Sequence, residues 1–329
     1  MAQQRVVVFG GGGGAGLVLQ ALPPHTQNTA VIAVTDTGRS TGVARRIGGD
    51  MPAPGDIRAT IASTARDERM AQLLQHRFGS DGIAELEGMA LGNLMLAALY
   101  REQGSFAQAV ATLAHMAQTS ATVLPVSEES SQLCARLIDG SDCVGEVAVR
   151  TPRKAAISYC RLEPPVRALP AVIQAIHDAD LIVIGPGSFY TTIHAVLLPE
   201  GVRAALQQTR AHIVFVANTT TQTGQTEHLD SVGHVSHLVS MLGSGVIDTV
   251  LLNTRAPSAS QLERLAKEGL QALSATTVEL ATIEQMGVRV IAQPLIEAAN
   301  ITRALWNKQD TLRHDPQALR EVITTLLSH

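Results

Sequence analysis

Apolar and polar positions follow two periods along this chain, and their order predicts an α/β architecture. Val6–Phe9, Ala30–Thr35 and Leu181–Ile184 are short continuous apolar runs, as in parallel strands buried on both faces. Ile213–Ala217, Val246–Leu252 and Val288–Ile291 read the same way. Between them lie helical segments: Gly16–Leu22, ended by Pro23-Pro24, then Leu169–His177, Gly201–Gln208, Thr226–Leu242, Ser258–Lys267 and Pro316–Leu327. Helical periodicity dominates from Ile57 to about Gln118, with segments near 57–65, 68–78, 92–101 and 105–118. The stretch Ser131–Ile157 predicts strands, Leu133–Ile138 and Val144–Val149, around the turn Asp139-Gly140-Ser141-Asp142. No repeat and no long linker interrupts the pattern. The expected fold is α/β and Rossmann-like, a mostly parallel sheet with helices on both faces. It spans 1–329 as a single domain, with a largely helical insertion, partly β, at about 55–160.

Composition removes several classes of function. The 329 residues are 45% hydrophobic and 3% aromatic, with a formal net charge of −4. Such a chain has neither the basic field nor the stacking platforms that nucleic acid requires. No apolar run approaches the roughly eighteen residues of a spanning helix. Met1-Ala-Gln-Gln-Arg5 leads straight into a strand, so a cytoplasmic protein without a membrane partner is expected. Cys134, Cys143 and Cys160 show no C-x-x-C spacing and read as buried thiols in a reducing compartment.

Three strand ends open into loops that carry candidate chemistry, all on one edge of a parallel sheet. The first is the run Gly10–Gly14 with Gly16, behind Val6–Phe9. Backbone N–H groups there are free of any Cβ, and a following helix would aim its positive dipole at an anion. Gly11-x-Gly13-x-x-Gly16 also matches a dinucleotide fingerprint, with Asp36 twenty residues beyond Gly16 where a ribose-binding acid belongs. Leu17 after Gly16 excludes a Walker A loop. The second loop, Thr35–Arg46, holds Asp36, Ser40, Thr41, two glycines and three arginines, a set suited to a metal ion or a second anionic group. Arg45 and Arg46 read as solvated surface charges somewhat ahead of contacts to a substrate. Asp56, in Pro54-Gly-Asp-Ile-Arg58, reads as a helix N-cap or as a ligand. The third loop, Gly185-Pro-Gly187-Ser188-Phe-Tyr-Thr-Thr192, offers backbone donors and a hydroxyl. Asn93, near the start of a helix, reads as a cap or a ligand; Asn218 and Gln222 follow the strand Ile213–Ala217, at the carboxyl edge where ligands bind. His228, His234 and His237 fall within ten residues and read as a polar helix face, so no metal is assigned there.

Taken in order, these motifs resemble those of the CofD-like superfamily, and within it the YvcK-like branch known as gluconeogenesis factors. The resemblance rests on the glycine run, Asp36-x-Gly-x-Ser-Thr-Gly42, Pro54–Arg58, Leu91-Gly-Asn-Leu94 and Gly185–Thr191. Asn218 with Gln222-x-Gly-Gln-Thr226, and His314-Asp-Pro316, extend it over nearly the whole chain. It implies a cytoplasmic protein that binds a nucleotide or nucleotide-sugar such as a UDP-sugar, associated with gluconeogenic growth and cell shape. The transferase branch implies instead a phospholactyl transfer from a nucleotide diphosphate donor, with Mg²⁺. This chain departs from the branch pattern at Thr37, usually a second acid, at Arg39, usually Gly, and at Met89, often His. At Leu229 the UDP-sugar-binding relatives carry Tyr. The expected ligand set is Gly11, Gly12, Gly13, Gly14, Gly16, Asp36, Ser40, Thr41, Asn93, Gly185, Gly187, Ser188, Asn218 and Gln222, around a small phosphorylated ligand. Mg²⁺ at Asp36 accompanies it in the transferase alternative, and a homo-oligomer is a further candidate partner state. A nicotinamide oxidoreductase is the third alternative; no proton-transfer pair accompanies its fingerprint.

Overall fold

The computed structural model describes residues 3–80, 83–298 and 312–328. Among these, seven strands form one sheet in which every pair is parallel: β1 (Arg5–Gly10), β2 (Gln27–Ile32), β3 (Thr122–Pro125), β7 (Leu181–Ile184), β8 (His212–Val216), β9 (Thr249–Asn253) and β10 (Arg289–Gln293). Their order is β10-β9-β8-β7-β1-β2-β3. The apolar runs form the centre because helices cover both faces: Val6–Gly10 of β1 and all of β7 are buried. Each such Val or Ile contributes about 1.5–3 kcal/mol by leaving water. Three further strands, β4 (Gln132–Leu137), β5 (Asp142–Val144) and β6 (Ile157–Glu163), form a separate antiparallel sheet in the order β5-β4-β6.

The helices of the first half are α1 (Gly12–Ala21), α2 (Arg39–Gly48), α3 (Gly55–Thr64), α4 (Glu68–Gln75), α5 (Leu91–Gln103), α6 (Phe106–Met116) and α7 (Glu146–Arg150). The Rossmann-like α/β arrangement is as the sequence predicts. No helix among the described residues is long and apolar enough to cross a membrane.

Four local expectations are corrected. α1 begins at Gly12 and not at Gly16: Gly11 is still extended at φ −150° and ψ 160°, and the glycine run after it already lies within the helix. The second loop contains α2, closed by Gly49 in the left-handed region at φ 83°. The expected strand Val144–Val149 stops at Val144; Gly145 at φ 86° reverses the chain, and an Arg150–Glu146 ion pair of 3.1 Å spans the short α7 that follows. The helix expected from Thr226 starts at Ser231, where the Asp230 side chain caps the N–H of Gly233.

The glycine run is packed, not merely flexible. A Cβ at Gly14 would overlap the carbonyl oxygen of Pro186, one at Gly11 the Asp56 carboxyl, and one at Gly16 the Ser63 hydroxyl. A Cβ at Gly13 meets nothing within 4 Å. Gly14→Ala is therefore expected to cost about 2–4 kcal/mol of unfolding free energy in urea melts, since backbone must move. Gly13→Ala is expected to change stability by less than about 1 kcal/mol, to the favourable side.

Candidate functional site

β1 and β7 are hydrogen-bonded neighbours, yet the chain leaves them in opposite directions, β1 toward β2 and β7 toward β8. A crevice opens at the carboxyl ends of strands that diverge in this way, and ligands of open α/β sheets bind there. The first and third loops both start at it, Gly11 after β1 and Gly185 after β7. They touch at once: the Gly185 N–H donates to Phe9 O at 2.9 Å, and Gly14 lies against Pro186. α1 begins here with Gly11 as N-cap, no capping side chain and no acid in its first turn. Its first N–H groups thus have no side-chain acceptor, and the positive end of its dipole lies at the crevice.

The third loop is held by the two polar residues that follow β8. Asn218 Oδ1 accepts the Gly187 N–H at 3.4 Å, and Gln222 Oε1 accepts the Phe189 N–H at 2.8 Å. The Ser188 hydroxyl bonds Thr191 at 2.7 Å and Gln225 at 3.1 Å. The bond to Gly187 fixes the Asn218 amide, whose buried Nδ2 is left without a partner among the described residues. The segment that carries Asn218 is itself anchored: buried His314 donates from Nε2 to Ala217 O at 3.1 Å.

The second loop brings carboxyl groups to the crevice. Asp36 Oδ1 accepts the Gly38 N–H at 2.8 Å and Oδ2 accepts the Thr41 hydroxyl at 2.7 Å. Glu146, at the start of α7, is buried, accepts the Thr37 N–H at 3.0 Å and shares a hydrogen bond with Asp36. Burial opposes ionisation of Asp36, but hydrogen bonds from Glu146, Gly38 and Thr41 and the Arg150 charge outweigh it and hold its carboxyl below the usual range. Burial, then the same hydrogen bond and the Asp36 charge, push Glu146 up to about 7, against the opposing pull of the Thr37 N–H and the Arg150 charge. Asp56 is pushed up to about 7, first by burial and then by the Asp36 charge. It is not an N-cap, since Pro54 holds that position and Asp56 lies in the first turn of α3 with its carboxyl against Gly11 and Gly12. A cleft of about 370 Å³ runs past Asp36, Gly38, Glu146, Val147, Arg150 and Pro152. A cavity of about 420 Å³ near Thr209, Arg210, His212 and Asp248 lies at the amino end of β8, away from these loops, and holds none of the expected ligand residues.

The crevice thus gathers Gly11, Gly12, Gly13, Gly14, Gly185, Gly187, Ser188, Asn218 and Gln222, with Asp36 beside them. Ser40 and Asn93 are occupied within the protein. Asn93, which caps nothing, accepts from Arg58 Nε at 3.1 Å and donates to Ser40 Oγ at 3.1 Å, and Ser40 Oγ accepts the Ala90 N–H at 2.9 Å. Thr41 serves Asp36, and Gly16 serves the α1–α3 contact at Ser63. Arg45 is buried on Met51 O and Ser130 instead of solvated, whereas Arg46 is exposed. The histidine expectation is also corrected. His228 lies outside the helix, and His234 is fully buried with its ring 4.6 Å from that of Phe189. His194 packs on the same ring at 4.7 Å. Among the described residues no group of three or more His, Cys, Asp or Glu is placed to hold a metal ion. Sequence reasoning missed Glu146, whose only signal was an acid inside the apolar run Val144–Val149.

Comparison with known proteins agrees with the fold. The family described as "2-phospho-L-lactate transferase CofD" matches residues 6–296. A Thermotoga maritima protein named "Putative gluconeogenesis factor" is 38% identical over 323 residues, covering 97% of this chain and 98% of the relative. A Bacillus subtilis protein named "Gluconeogenesis factor" is 31% identical, covering 98% of each chain. A crystal structure of a Bacillus halodurans protein superposes with a TM-score of 0.88 at 30% identity, covering 98% of this chain and 100% of that one. The chain belongs to the CofD family and, within it, to the YvcK-like branch of gluconeogenesis factors.

Proposed function

We propose that the β1/β7 crevice binds the phosphate groups of a nucleotide or nucleotide-sugar, and that the protein acts as a cytoplasmic ligand-responsive regulator of carbon metabolism and cell shape. The observation that carries the ligand is Gly13. Its neighbours at 11, 14 and 16 are glycines because packing leaves no room for a Cβ, whereas Gly13 faces open space at the uncapped start of α1. A phosphate seated there would take the helix N–H groups and dipole, and the unpaired Asn218 Nδ2 supplies a further donor. Asp36 and the cleft along α7 would take the sugar or base. The regulatory role follows the names of the relatives and the branch resemblance.

A second reading, phosphoryl-group transfer of the CofD type, is favoured by the family description and by Asp36 and Asp56. Mg²⁺ is commonly held by one or two carboxylates together with ligand phosphates, which these two acids would suit. When bound it would neutralise charge developing on the transferred group.

Three outcomes test these readings. Titration calorimetry against UDP-sugars and other nucleotides is expected to give binding to the wild type. Gly13→Val is expected to weaken it at least about tenfold while the protein stays folded; an unchanged affinity sinks the placement at α1, and no binding to any nucleotide sinks the ligand class. Asp56 also sets a pH dependence. Its raised folded-state pKa means that the native state holds a proton the unfolded chain has lost, so stability is expected to fall as pH rises from about 4 to about 7, and Asp56→Asn to flatten that slope. Without divalent cations, anion affinity is expected to drop from roughly pH 6 to pH 8 as Asp56 ionises, and Asp56→Asn to remove the drop. Mg²⁺ restoring affinity at the higher pH in the wild type but not in Asp56→Asn would favour the transferase reading.

A further inference from the structure

Three carboxyl groups stand at the crevice, Asp36, Glu146 and Asp56, and the charge of Arg150 acts on all three. Other cations nearby are engaged inside the protein. Arg58 is buried and donates to Asn93 and Gln75, Arg45 donates to Met51 O and Ser130, and Lys154 donates to Gly224 O. Arg150 differs from them. It ends α7 with its side chain half exposed, and it lines the cleft together with Asp36 and Gly38. Among the described residues its side chain makes one hydrogen bond, from Nη1 to Glu146 Oε1 at 3.1 Å. A guanidinium carries five N–H donors, so most of the fork is left for an acceptor in the cleft.

The backbone beneath this side chain is fixed between two walls of the site. The Arg150 carbonyl packs so closely on Gly224, at φ 77°, that a Cβ there would overlap its oxygen. Gly224 belongs to the segment whose Asn218, Gln222 and Gln225 hold the third loop. The base of Arg150 is therefore placed by the support of the third loop, and its tip by an acid that bonds the second. Charge then limits what the crevice holds. The α1 terminus offers the equivalent of about half a positive charge, and its effect falls off within the first turn. A second phosphate linked to the first would meet the Asp36 charge without that help. A full cation offsets the repulsion, and the planar fork of Arg bonds two phosphate oxygens at once. The half-exposed pair with Glu146 is weak enough for such an anion to displace. We propose that Arg150 determines specificity in the crevice: its guanidinium receives the second phosphate of a diphosphate ligand and selects nucleoside diphosphates over monophosphates. This rests on the phosphate-binding reading of the crevice and adds the residue that distinguishes one phosphate from two.

Titration calorimetry without divalent cations tests it, with the mono- and diphosphates of uridine and guanosine and with phosphate and pyrophosphate as base-free probes. The wild type is expected to bind the two-phosphate member of a pair at least about tenfold more tightly. Arg150→Gln is expected to bring the two within about twofold by weakening the diphosphate, with a near-native melting temperature. Arg150→Lys keeps the charge, loses the fork and is expected to fall between. A purely structural Arg150 would lower both affinities of a pair alike. Equal losses in Arg150→Gln, or a wild type without preference, overturn the inference and leave the crevice reading standing. A wild type that binds none of the probes overturns both. Should Arg150→Gln prove unfolded, Arg150→Lys decides: a reduced preference for two phosphates supports the assignment, and an unchanged one overturns it.

Discussion

The fit between the glycine turn and the Pro186 carbonyl is the constraint on which the site depends. Parallel neighbours run only about 4.8 Å apart, and the loops leaving β1 and β7 meet before they part. Backbone without Cβ is what lets Gly14 pass Pro186 and Gly11 pass Asp56. That closeness starts α1 at Gly12, within two residues of the sheet, so that its N-terminus opens into the crevice and not above it. A wider turn would leave the same N–H groups in bulk water, where an anion gains little from them. The run therefore combines two requirements. Gly11, Gly14 and Gly16 answer to packing, and Gly13 leaves the start of α1 uncovered.

Electrostatics then decides whether such a crevice can accept an anion at all. Three carboxyl groups stand near it, and three full negative charges would repel a phosphate. Two features reduce that charge. Burial and the neighbouring Asp36 push Glu146 up to about 7, so near neutral pH the pair carries less than two full charges. Asp56 lies near the α1 terminus, where the dipole favours ionisation by about 0.3–1 kcal/mol, yet burial and the Asp36 charge prevail and raise it to about 7. Near neutral pH the site thus balances between repelling a bare phosphate and holding a cation beside it.

Much of this was legible in the residue pattern, and the failures have local causes. Leu181–Ile184 and Pro316–Leu327 are found at their expected bounds, because an apolar run with clear ends and a Pro at the first helical position leave little freedom. The helix α2 was hidden because Arg39–Gly48 contains glycines and hydroxyls that read as loop, and its start is set by Asp36 bonding Gly38 and Thr41. That the glycine-bearing loops meet at one edge of the sheet was legible, since strand-to-glycine-to-helix is a local signal. Ser40, Asn93 and Glu146 were not correctly placed, because their partners lie far along the chain. The Ser40–Asn93 bond spans 53 positions and the Glu146–Thr37 bond 109. Side-chain type and spacing cannot register a contact of that kind.

Glu146 also bears on which of the family's two chemistries this crevice suits. The branch resemblance implies a second acid directly after the one at Asp36, and this chain has Thr37 there. Its N–H is bonded by Glu146 instead. The acid that stands near Asp36 is therefore brought from α7, buried and with its pKa pushed up to about 7, whereas an acid at position 37 would begin in a polar loop. A carboxyl with so raised a pKa gives up its proton less readily than an exposed acid, while Thr37 contributes only a hydroxyl and its backbone. Moving the acid to α7 also ties the second loop to the wall of the cleft, so that a ligand touching Asp36 acts on both. Less charge for a metal and a firmer link between walls suit holding a ligand better than transferring part of it.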